Sequence, residues 1–72
     1  MAMDPRLYMR LADDVREQIM SGKLSTGDRL PSISQLCKQH GTSRRTAGRA
    51  MQILQEEGWL LRVPGLGYFV SD

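Results

Sequence analysis

The stretch SISQLCKQHGTSRRTAGRAMQILQEEG, Ser32–Gly58, reads as two helices around a short turn. Ser32 and Gln35 stand at capping-box spacing: the serine oxygen can accept a first-turn amide, and the glutamine can reach back to the serine's own amide. Ile33, Leu36 and Cys37 then face inward on a short helix that ends at Gly41. Thr42-Ser43 offers a new N-cap at once. Two helices parted by about three residues that include a glycine have helix-turn-helix spacing. The next helix is expected from about Ser43 to Glu57, stopped by Gly58. On a wheel of roughly 100° per residue, Ala47, Ala50, Met51 and Leu54 share one side. Arg45, Arg49 and Gln52 fall opposite, with Arg44 at the flank. Packing claims the apolar side, so the arginines must face outward. No acid lies three or four residues from any of them, so intrahelical ion pairs do not explain them.

Outward from this core the pattern is simple. A first helix is expected to begin near Asp4-Pro5, an N-cap and a first-turn proline. Tyr8, Leu11, Ala12, Val15 and Ile19 form its apolar face, and Asp13, Asp14 and Glu17 its polar one. Ser21-Gly22 ends it. KLSTGDRLP is a connector, with a turn at Thr26-Gly27-Asp28. After Gly58, WLLRV and YFV are β-prone segments around Pro64-Gly65-Leu66-Gly67, a hairpin with a glycine-rich tip. Trp59 and Met51 read as core. The expected fold is mostly α with a small β-hairpin, one domain over 1–72, with the hairpin at about 59–70. Met1–Asp4 read as an expression scar and carry no functional weight.

Composition narrows the function. Seventy-two residues permit only a small core. No apolar run approaches the roughly 18 residues of a membrane helix, and no signal peptide is visible, so a cytoplasmic location is expected. Cys37 and His40 are the only residues of their kinds. An internal disulfide is excluded, and neither a zinc cluster nor a cofactor is expected. No nucleophile–base set or paired carboxylates suggest an enzyme. Cys37 reads as a small buried hydrophobe, and His40 as structural. Net charge is +2, but Arg29–Gln55 holds five basic residues and no acid, while the rest carries the other five and all eight acids, a net of −3. A basic middle in an acidic frame suits a polyanion. On charge alone, a solvated helix face explains it equally well.

SGKLSTGDRLPSISQL, HGTSRRTAGRAM, EEGWL and PGLGYFV, in this order, resemble the winged helix-turn-helix domain of the GntR family of bacterial transcription regulators. The resemblance runs from Tyr8 to Val70. Each motif alone is weak; their joint order and spacing are specific. It implies a three-helix bundle with a β-hairpin wing that binds double-stranded operator DNA. In such domains the second helix abuts the DNA backbone, the third enters the major groove and the wing reaches toward the minor groove. Members usually pair as homodimers on palindromic operators, through a larger C-terminal domain for which these residues leave no room. Some members are instead fused to an aminotransferase-like domain. Three positions depart from the family. Ser34 and Gly48 stand where arginine is common, and Thr42 where valine is. A different operator is therefore expected, with the mode of binding retained.

The resemblance gives the candidate DNA-binding residues their roles. Arg44 and Arg45, in the first turn of the third helix, are expected to reach base edges, where arginine can hold guanine O6 and N7 with two bonds. Arg49, a turn further on, is expected to contact a phosphate or a base. Ser32, Ser43 and Thr46 carry hydroxyls near helix N-termini, where phosphate oxygens are well received; capping alone also explains the two serines. Ser34 offers a short neutral contact. Gly48 either lets the helix sit deeper in the groove or reflects drift at an exposed position. Gly65 and Gly67 permit a tight wing and close backbone approach, as they would in any hairpin. Arg62 is the candidate phosphate contact of the wing. The competing reading is a winged helix that binds protein and never touches DNA.

Overall fold

The computed structural model describes residues 5–71. The proposed cap at Asp4 and the rest of 1–4 lie outside the described residues. Helix α1 spans Pro5–Met20, α2 Ile33–His40 and α3 Arg44–Glu56. Strands β1 (Leu60–Val63) and β2 (Gly67–Val70) form an antiparallel hairpin that pairs Leu60 with Val70 and Val63 with Gly67. This is the winged helix-turn-helix arrangement that the sequence predicts. Among the described residues no helix is long and apolar enough to cross a membrane.

The apolar faces converge on one cluster. Leu11, Ala12 and Val15 of α1 meet Leu36 of α2 and Ala47, Ala50, Met51 and Leu54 of α3. Leu60 and Val70 close it from the hairpin, and Leu30 from the connector. Ala47 and Ala50, both fully buried, carry only methyl groups and so let α3 pack closely against its neighbours. Tyr8, Ile19, Ile33, Cys37 and Trp59 are half-buried around this cluster. Arg16 fastens the outside, with its guanidinium donating to Asp13 and, at 2.9 Å, to Glu57 just past α3. The Glu57 hydrogen bond is the largest of the influences that together raise the Arg16 pKa. His40 Nδ1 lies 3.8 Å from Asp14 Oδ2, so the end of α2 sits against α1.

The connector does more than turn. Gly27 donates to Val70 O, Val70 to Asp28 O, and Leu30 to Tyr68 O, each at 2.8–2.9 Å. Residues 27–30 thus line the free edge of β2, with Arg29 bridging Phe69. Four residues are too few to show a strand alternation, and their partners lie about forty positions away. The turn ahead of them is where the sequence places it: Asp28 N donates to Ser25 O, and Ser25 N to Asp28 Oδ2.

Candidate nucleic-acid interface

The two helices of the pair are set by their caps. Ser32 Oγ accepts from Gln35 N at 3.1 Å, and Gln35 Oε1 accepts from Ser32 N at 2.9 Å, the full capping box. Gly41 ends α2 in the left-handed region at φ 61°, and its N–H donates to Cys37 O. A residue with a Cβ is strained there, so glycine is what lets the chain reverse within three residues. Ser43 caps α3, with its Oγ accepting from Thr46 N at 3.1 Å.

This geometry puts the α3 arginines on one open face. Arg44, Arg45 and Arg49 are all exposed. Among the described residues, no carboxylate forms an ion pair with them. Arg44 Nη2 instead donates to Ser34 Oγ at 2.8 Å, across the turn. Arg49 lies over the ring of Tyr8 on α1, 5.9 Å from its centroid, with Nη1 3.5 Å from Gln52 Oε1. A guanidinium over an aromatic face is attracted by the ring quadrupole. Three uncompensated cations on a packed helix make a field that favours a polyanion.

Thr46 sits differently from its neighbours. It is only 3% exposed, and its hydroxyl oxygen accepts from Ser43 Oγ at 3.0 Å. Its place is beneath the first turn of α3, supporting the cap, while Ser43 is the hydroxyl at the surface. Gly48 is half-buried, yet a Cβ added there meets nothing within 4 Å. Packing within the chain does not require glycine at this position. Thr42 Oγ1 is buried and has no hydrogen-bond partner among the described residues.

The hairpin and α2 enclose a second basic feature. A groove of about 350 Å³ runs between the wing and the start of α2, lined by Arg29, Ser32, Arg62, Gly65, Gly67 and Tyr68, among others. Gly65 is in the turn at φ 80°, and Gly67 opens β2 at φ 113°. A Cβ on Gly67 would meet Arg29 Nε at 3.8 Å, an ordinary contact, so it is the left-handed φ and not crowding by Arg29 that favours glycine there. Two cations therefore line a groove at the N-terminal end of α2, whose dipole is also positive, and among the described residues no carboxylate forms an ion pair with either. Arg29 and Tyr8 were not candidates from sequence. Arg29 was visible only as one of the five cations of the basic middle. Periodicity places Tyr8 on the apolar face of α1 and cannot show which edge of its ring stays at the surface.

Residues 7–70 match the family of bacterial regulatory proteins described as the gntR family. An HTH-type transcriptional regulator of Mycobacterium tuberculosis is 44% identical over 63 residues, which cover 88% of this chain and 23% of that protein. The histidine utilization repressor of Klebsiella aerogenes is 40% identical over 65 residues, 90% of this chain and 27% of the repressor. The AraR DNA-binding domain, solved in complex with operator ORE1, superposes with a TM-score of 0.89 at 32% identity over 96% of this chain and 83% of that one. The chain thus spans about a quarter of the length of these two relatives.

Proposed function

The chain belongs to the gntR family of bacterial regulatory proteins, and from that premise we propose that it binds double-stranded operator DNA in a sequence-specific way. The observation that carries this reading is the α3 face: three exposed arginines, free of carboxylate partners among the described residues, projected by a helix-turn-helix that matches an operator-bound domain. Helix α3 enters the major groove. Arg44 and Arg45 read base edges from its first turn, and Arg49 reaches the duplex one turn later. Ser32 donates its hydroxyl to a phosphate oxygen at the N-terminus of α2, and Ser43 does the same at α3 by turning its hydroxyl hydrogen from Thr46 Oγ1 to the phosphate. The wing follows the minor groove through Gly65 and Gly67, with Arg62 on the backbone. Gly48 leaves space on the DNA face.

The role is regulation of transcription, with no catalytic step in these residues, and the compartment is the bacterial cytoplasm. The two relatives described above are about three to four times as long, so this chain serves as the DNA-binding part of a regulator whose remaining length would supply pairing and effector sensing. Two copies then meet on a palindromic site. Selection from a random duplex pool tests the reading directly. A defined, symmetric consensus is expected, with binding that weakens steeply as salt rises. Recovery of no consensus, with no salt dependence, points instead to a protein-binding winged helix.

A further inference from the structure

We propose that Ser34 is a positioning residue for Arg44, setting the direction of a base-reading guanidinium without itself contacting DNA. The inference rests on the base-reading role given above to Arg44 and deepens it. Ser34 is the second residue of α2, half-buried, and its hydroxyl oxygen accepts from Arg44 Nη2 at 2.8 Å over a separation of ten residues. A donor that carries charge makes this bond stronger than one between neutral groups.

The bond joins two rigid bodies. Helix α2 is locked at its start by the Ser32–Gln35 capping box and along its length by buried Leu36. Helix α3 is locked by the Ser43 cap and by Ala47, Ala50 and Met51 in the core. Between them the guanidinium is the mobile part, at the end of a long side chain rich in rotamers. Ordering such a side chain at the moment of binding costs affinity, and ordering it beforehand removes that cost. One Nη2 hydrogen is used on Ser34. The remaining donors of the fork stay available for the two acceptors that guanine shows in the major groove. Arg49 is steadied by Tyr8 and Gln52. Arg44 obtains the equivalent support from Ser34, at the position where a longer basic side chain would compete with it for space and charge.

The test uses this chain and the duplex recovered from a random pool by the wild type, with every single-base variant of that duplex. Ser34→Ala should reduce discrimination at the one base pair that Arg44→Ala also relaxes, by about two- to tenfold, and leave discrimination elsewhere unchanged. Ser34→Thr, which keeps the acceptor, should restore it. Placed on Arg44→Ala, Ser34→Ala should add nothing further. Equal loss on every duplex, additive with Arg44→Ala, overturns the proposal and makes Ser34 a direct backbone contact. Unchanged discrimination in Ser34→Ala, with Arg44→Ala still selective in its effect, overturns it alone. If Arg44→Ala itself shows no base-selective loss, the base-reading premise falls with it. Circular dichroism of each variant shows whether the helices are intact.

Discussion

At the scale of single residues, the arginines differ by what surrounds them. Arg44 and Arg45 project from the first turn of α3, whereas Arg62 sits on the wing groove beside Arg29. Arg44→Ala and Arg45→Ala should each cost about 1–3 kcal/mol on the preferred duplex and relax selection at a particular base pair. Arg62→Ala should weaken all duplexes alike and lower the salt slope by about one. Titrations on a matched set of single-base variants at several salt concentrations check both; equal losses everywhere for Arg44 and Arg45 would remove them as base readers. Gly48 makes a separate prediction. Its added Cβ meets open space, so Gly48→Ala should stabilise the free protein by roughly 0.5–1 kcal/mol through helix propensity. A higher melting temperature is the readout. Weakened DNA binding in the same variant would show that the bare backbone is used in the groove. The outward direction of these arginines was legible from the wheel. Their anchors were not, since Ser34 and Tyr8 belong to other helices.

At the scale of elements, local chemistry accounts for nearly every boundary. Ser32, Gly41 and Ser43 do in the structure what their residue types predict, because capping is an interaction among neighbours in sequence. Ser43→Ala should cost about 1 kcal/mol, and more if the buried Thr46 hydroxyl then lacks its donor. Urea denaturation measures this, and an unchanged midpoint would mean that the cap is idle. Thr42 is the opposite case. Its Oγ1 is buried without a partner among the described residues, and a buried polar group left unpaired costs about 1–3 kcal/mol. Thr42→Val keeps the shape and removes the hydroxyl, so it should raise the urea midpoint. A lower midpoint would indicate that the hydroxyl is satisfied in solution. The pairing of residues 27–30 with β2 is not legible in the sequence, as four residues carry no periodic signal.

At the scale of the whole molecule, a small core supports two basic surfaces. Leu54 is fully buried where α3 meets the rest of the cluster. Leu54→Ala should cost about 2–5 kcal/mol, a large share of the stability available to a domain this small. Loss of cooperative thermal unfolding, together with loss of DNA binding, is expected. Retained binding by an unfolded variant would show that charge alone suffices. The fold couples the surfaces because α2 borders both: its second residue holds Arg44, and its N-terminus lines the wing groove.

Three helices, the caps of α2 and α3, the hairpin and the outward arginine face follow from periodicity and cap chemistry, which act between residues a few positions apart. Tertiary packing alone decided that Arg29 and Arg62 line one groove, and that Ser34 and Tyr8 hold arginines of α3. Each of these depends on residues brought together from distant parts of the chain, through contacts that leave no repeat in the sequence.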